Sequence, residues 1–316
     1  MQDFILFKNL LLKILPLYLI TLIGYISGKF LEIDRKSIAL VIMYIIAPVV
    51  FFTGIAHDNI PIKNLTISAF VFSTCAILAL IFLGLGSLIW KDSTKNILAL
   101  CSSSGNMGYF GIPVGLAIFG TKALGTLIMA MLGIIIFQNS LAFFIAANGK
   151  YNFIKSLQRT LLVPNIYAVA LAFWLNSFID FKNLQGFWAK TFDLAKDFTG
   201  AYSILGMLIV GFSLSQIKSI TVDKKTWLFL SLSLIAKFIA FPLLTYLFIL
   251  VDKHNFHLFN NRIYNILLML SLAPIPANAV VIASTLKLNT DMISIAVLVS
   301  NIFALFLIPL LLVIIN

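Results

Sequence analysis

Apolar runs long enough to cross a bilayer follow one another along nearly the whole chain, and only short polar breaks separate them. This pattern constrains the fold more than any other feature. The hydrocarbon core of a bilayer is spanned by about 20 apolar residues in a helix. In lipid each backbone N–H and C=O must find its partner inside the protein, which favours helices. The runs cover 10–30, 37–55, 66–90, 97–119, 124–147, 161–178, 199–217, 227–251, 263–286 and 291–315. Only 10% of residues are charged and 61% are hydrophobic, whereas a soluble domain carries about 25% charged residues. The chain is therefore predicted to be an all-α integral membrane protein of ten spans, forming one transmembrane domain over 1–316. The polar stretch 180–197 is predicted to form an amphipathic surface helix through Phe187, Trp188 and Phe192.

The formal net charge is +11, but the basic residues are spread thinly over the loops, with no basic run interleaved with aromatics. Nucleic acid is not expected as a partner; the lipid bilayer is, and the composition is compatible with a homodimer. The two cysteines, Cys75 and Cys101, belong to no CxxC or Cys/His cluster, so no metal or other cofactor is expected. No Ser/His/Asp or Cys/His set falls at one depth: His57 and Asp58 close the second span, and His254 and His257 lie in a loop. The chain does not read as an enzyme. Its N-terminus does not read as a cleaved signal peptide, because Asp3 sits where the basic region would be and the apolar run to Phe30 is too long. Lys and Arg slightly favour the loops after odd-numbered spans, which predicts a multi-pass cell-membrane protein with both termini outside the cytoplasm.

An internal repeat is visible. Pro16-Leu17-Tyr18 in span one has a counterpart in Pro164-Asn165-Ile166-Tyr167 of span six, and spans four and nine both carry proline and asparagine at mid-membrane. Five spans per half is an odd number, so the second half, about 156–316, must insert upside down relative to the first, about 1–150. Inverted repeats of this kind build many secondary transporters. Span four contains Gly105-Asn106-Met107-Gly108-Tyr109-Phe110-Gly111-Ile112-Pro113 after three serines. Pro113 removes a backbone donor and crowds the preceding turn. Irregular backbone at membrane depth is tolerated only inside protein or beside water, so this span is predicted to break, with Asn106 and a half-helix end facing a solute. Span nine contains Pro274-Ile275-Pro276-Ala277-Asn278, predicted to break at the corresponding place.

All eleven Asp and Glu residues (Asp3, Glu32, Asp34, Asp58, Asp92, Asp180, Asp193, Asp197, Asp223, Asp252 and Asp291) lie in loops or at span ends. Cation relays rely on intramembrane acids, so their distribution argues against sodium–proton antiport. Neutral amides and positive helix ends suit an anion. One basic residue, Lys237, lies near the middle of span eight, where a charge is costly and is functional or paired. It stands between a counter-charge to a bound anion and a snorkelling or structural lysine. Gln138-Asn139-Ser140 form a polar trio in span five, suited to interhelical hydrogen bonds or to lining a site.

These residues resemble the auxin efflux carrier family, whose bacterial members are often called malate permeases. The span-four motif from Gly105 to Pro113 is similar to the family's Gly-Asn-x-Gly-x-x-Gly-x-Pro. Ala47-Pro48-Val49-Val50-Phe51, Ile209-Val210-Gly211-Phe212-Ser213-Leu214, Lys237-Phe238, Pro242-Leu243-Leu244 and the segment 294–309 resemble its second, seventh, eighth and tenth spans. The resemblance implies two inverted five-helix repeats, broken helices crossing at spans four and nine, and a transport domain that moves against a scaffold. It implies organic anions as substrates, auxin in plants and dicarboxylates or related acids in bacteria. Asn106 and Pro113 carry over by motif as site and crossover residues, with Gly105, Gly108 and Gly111 around them; Pro274 and Pro276 carry over by position. The chain departs from the family pattern at Ser203, where a proline is frequent, and in its short 150–159 loop. A sodium-coupled symporter of the bile-acid-transporter type and a membrane ligand sensor without transport are the alternative readings.

Overall fold

The computed structural model describes residues 2–31, 33–58, 61–147, 161–181, 183–215 and 223–315. Among them it is helical throughout, with no strand. Seven helices are long and apolar enough to cross a membrane. In chain order the helices are α1 (Gln2–Phe30), α2 (35–58), α3 (Leu65–Ile89), α4 (Thr94–Ser103), α5 (107–119), α6 (124–146), α7 (Pro164–Leu175), α8 (Gly186–Ser215), α9 (Lys224–Phe256), α10 (Asn261–Ser271), α11 (Asn278–Thr285) and α12 (Thr290–Ile315). Side-chain caps mark several starts. Asp34, Asp223 and Asn260 accept from backbone N–H groups of the first turns of α2, α9 and α10, which satisfies donors no helical carbonyl can reach.

Two spans are interrupted. α4 stops at Ser103 and α5 resumes at Met107; α10 stops at Ser271 and α11 resumes at Asn278. α4 packs against α11 and α5 against α10, so each half of one interrupted span meets the opposite half of the other. α3, α6, α9 and α12 surround them. On the other side, α1 lies along α8, and α2 lies along α7 and α8. The α1–α8 seam runs backbone to backbone. A methyl group at Gly24 would lie 2.5 Å from the Leu208 carbonyl oxygen, and one at Gly211 would overlap the Thr21 carbonyl. Small residues permit this approach in helix pairs that have no aqueous driving force. The two groups meet where α8 touches the start of α5, and where α1 touches α5 and α12.

The outer faces are apolar. Leu19, Leu22 and Ile23 on α1 and Trp227, Ile239 and Leu243 on α9 are exposed, as a lipid-facing surface requires. The predicted surface helix over 180–197 is replaced by a longer element. Residues 186–197 are the first turns of α8, whose thirty residues contain no proline. Phe192 points inward against Phe52 and Phe181, with ring centroids 6.5 and 5.2 Å away, while Phe187 is exposed. α7 is shorter than its predicted span: Pro164 starts it and Leu175 ends it, twelve residues or about 18 Å of helix. The loop 150–159 lies outside the described residues.

Candidate functional site

The first interruption is a three-residue turn over 104–106. Asn106 has φ −76° and ψ 61°, and the Met107 N–H donates to the Gly105 carbonyl at 2.8 Å. This is an inverse γ-turn. α5 then begins with a π-helical turn over Met107–Gly111, in which the Gly111 N–H donates to the Asn106 carbonyl at 2.9 Å. Pro113 follows directly and has no N–H to give; the wider turn before it absorbs the mismatch. Before the break, Ser102 and Ser103 donate back to the Leu98 and Ala99 carbonyls at 2.6 Å each, whereas the buried Ser104 hydroxyl has no partner.

The second interruption covers 272–277 and carries both prolines, each buried. The Ile275 N–H between them donates to the Ser300 hydroxyl of α12 at 3.0 Å, and the Pro276 carbonyl accepts from the Ala279 N–H at 3.0 Å. The Pro274 carbonyl accepts the Asn106 N–H at 2.8 Å. One backbone hydrogen bond thus ties the two interruptions together.

Lys237 completes the cluster. It is fully buried at the π-helical turn Ala236–Ala240 of α9, and its ammonium makes no hydrogen bond among the described residues. Nζ lies 4.0 Å from the centroid of the Phe241 ring. A methyl group at Gly105 would stand 2.8 Å from Nζ and 3.6 Å from the Ala273 carbonyl oxygen. The absence of a side chain at Gly105 is what lets the lysine reach the junction. Around this point the carbonyl ends of α4 and α10 and the amide ends of α5 and α11 converge, two negative and two positive dipole termini.

The other predicted site residues fall into three groups. Asn106 is 6% exposed. Gly108 and Gly111 serve close packing, against Met131 and Tyr202 and against Leu270 respectively. Asn278 is the exposed first residue of α11, and Gln138 and Asn139 sit partly exposed at the π-helical turn Gln138–Ala142 of α6, where Asn139 donates to Ile135 of its own helix at 2.9 Å. Among the described residues, no hydrogen bond joins these three to the junction. Sequence reasoning missed Ser300 and the buried, unpartnered Ser233 one turn before Lys237. The only signal available was a serine inside an apolar run. It also missed the π-helical turns, although one follows directly on Asn106 and another contains Lys237; such turns recur at functional sites.

Among the described residues, no group of three or more His, Cys, Asp or Glu side chains is placed to hold a metal ion. A search of curated proteins returns no match. The profile of the membrane transport protein family, in which auxin efflux carriers fall, matches residues 10–312, and the chain belongs to that family.

Proposed function

We propose that this membrane transporter is a secondary carrier of a small organic anion, a carboxylate or dicarboxylate of the malate or auxin type, working by alternating access. The hydrogen bond from the Asn106 N–H to the Pro274 carbonyl carries this reading, because it sets two helix interruptions from opposite halves of the chain against each other. Interrupted spans at corresponding places in two halves are where such carriers bind their substrates. On this reading α1, α2, α3, α4 with α5, and α6 form one five-span repeat, and α7, α8, α9, α10 with α11, and α12 form its inverted counterpart. The group α1, α2, α7 and α8 is the scaffold, and the interrupted helices with α3, α6, α9 and α12 rock against it. The substrate carboxylate takes hydrogen bonds from the Asn106 amide and from the amide ends of α5 and α11, with Lys237 as counter-charge.

The test is counterflow in proteoliposomes with radiolabelled malate and indole-3-acetate. Asn106→Ala is expected to lower exchange by about tenfold or more, since a hydrogen bond to a charged group contributes about 1.5–3 kcal/mol. Exchange at the wild-type rate would remove Asn106 from the site.

A further inference from the structure

We infer that the coupling ion of this carrier is the proton, carried by Lys237, and that the lysine ammonium holds the cation position a sodium ion would otherwise fill. The inference rests on the proposed anion-carrier reading and deepens it. Three observations support it. The amine is fully buried and makes no hydrogen bond among the described residues. It stands beside Gly105, where an added methyl group would lie 2.8 Å from the nitrogen and 3.6 Å from the Ala273 carbonyl oxygen. It faces the ring of Phe241, 4.0 Å from the centroid, and a ring face attracts a cation. Unwound carbonyls and half-helix C-termini are the groups that coordinate a coupling cation in carriers with broken helices. Here a tethered nitrogen reaches Gly105, inside the first interruption.

No fixed charge at this depth balances it. The elements packed against the Lys237 turn are α3, α4 and α12, with the rest of α9. Their titratable groups near it are thiols: Cys75 on α3, close enough to act on the amine electrostatically, and Cys101 on α4. The charged side chains of these helices (Lys95, Lys224, Lys225, Asp252, Lys253, His254 and Asp291) all sit at helix ends. An ammonium in a dry site without a counter-ion is costly. Its protonated form is therefore favoured when an anion occupies the amide ends of α5 and α11 next to it, and disfavoured when that position is vacant. Proton and anion binding are then positively linked, and the linkage is reciprocal.

The cycle that follows is balanced. On the loading side the neutral amine takes a proton from water, and the site takes an anion. The two cross together. On the far side the anion leaves, the unpaired ammonium returns its proton to water, and the neutral amine resets. One proton accompanies each anion.

The experiment uses the reconstituted full chain, with radiolabelled malate and, in parallel, indole-3-acetate as probes. An acid-outside gradient is expected to raise uptake into wild-type vesicles, with a limit of about tenfold accumulation per pH unit at zero membrane potential, because one pH unit is worth about 1.4 kcal/mol. Entry of the probe should acidify a trapped pH-sensitive dye, and a sodium gradient should change nothing. Both Lys237→Gln and Lys237→Arg should lower uptake. Whatever exchange Lys237→Arg keeps should ignore the pH gradient, because a guanidinium does not give up its proton. Uptake driven by sodium, or wild-type exchange indifferent to the pH gradient, overturns proton coupling and leaves the anion-carrier reading standing. Wild-type vesicles that exchange neither probe overturn both. Should a Lys237 variant fail to fold, the wild-type gradient and dye measurements still decide the matter.

Discussion

The two interrupted spans solve one problem in different ways. In the first, three residues suffice: Ser104, Gly105 and Asn106 leave the helix, a tight γ-turn centred on Asn106 turns the chain, and α5 restarts at once with a wide π-helical turn. In the second, two prolines hold six residues out of helix, and a serine from α12 catches the one N–H left between them. The asparagines differ accordingly. Asn106 lies inside the turn and is nearly buried; Asn278 opens α11 and is exposed. The junction therefore combines a side-chain amide from one half of the chain with backbone carbonyls from the other. Two interrupted spans meet at one junction, and the sequence assigns different chemistry to each.

The largest expected effect tests this division. Asn106→Ala should reduce anion exchange by about tenfold or more, while Asn278→Ala should stay within about twofold, as surface substitutions usually alter free energies by less than about 0.5 kcal/mol. Equal losses in the two variants would break the comparison and bring Asn278 into the site. Next in size is Gly105→Ala. The new methyl group would stand 2.8 Å from the Lys237 Nζ, so the ammonium must shift away from residue 105. Exchange should fall several-fold with little change in thermal stability in detergent, because the obstructed atom is the end of a flexible side chain. Retained exchange would mean that the ammonium is not needed at the junction.

Much of this arrangement was legible before any coordinates. The glycines and Pro113 clustered around Asn106, and the Pro274/Pro276 pair, marked both interrupted spans in the letters; a lone proline does not, since Pro16 and Pro309 sit inside α1 and α12. Lys237 stood out for the same kind of reason, as an isolated charge in an apolar run. What remained hidden depends on partners distant in sequence. That the Asn106 N–H would choose the Pro274 carbonyl, or that Ser300 would serve Ile275, depends on how α5, α10 and α12 pack. The difference between Asn106 and Asn278 was hidden too, since both follow the same logic of an amide beside breakers. α8 was misread at its start because polar residues near a span suggest a surface; burial of Phe192 against Phe52 and Phe181 binds those turns to the fold instead.

The comparison extends to the outer ends of the interrupted spans. Ahead of α10, Asp252 is buried and accepts from the Leu258 and Phe259 N–H groups at 3.1 and 3.2 Å and from the Tyr264 hydroxyl at 2.6 Å. Replacing it with Asn turns one acceptor oxygen into a donor facing groups that also donate. Asp252→Asn is expected to cost about 1–3 kcal/mol of stability, the penalty for leaving buried donors unsatisfied. A detergent melting curve that matches the wild type would show that this turn contributes nothing to anchoring α10.

Ahead of α4 the anchor is exposed, and the expected effect is the smallest. The Lys225 ammonium donates to Asp92 at 2.6 Å, and the Thr94 N–H donates to the same carboxylate at 3.0 Å. The Lys225 hydrogen bond, followed by those of Thr94, lowers the Asp92 carboxyl from its ordinary range to about 2. The folded value lies below the unfolded one, so the pair contributes stability above the ordinary carboxylate range and loses it as pH falls toward about 2. Both side chains are more than a third exposed, 40% for Lys225 and 57% for Asp92. Solvent screens such a pair, and it contributes less than about 1 kcal/mol. Asp92→Asn should therefore lower the detergent melting temperature slightly at neutral pH, by an amount that shrinks in high salt, where exposed charges are screened beyond about 3 Å at 1 M. If the deficit instead matched that of Asp252→Asn and survived salt, the two anchors would be equivalent, and the asymmetry between the two interrupted spans would be confined to their breaks.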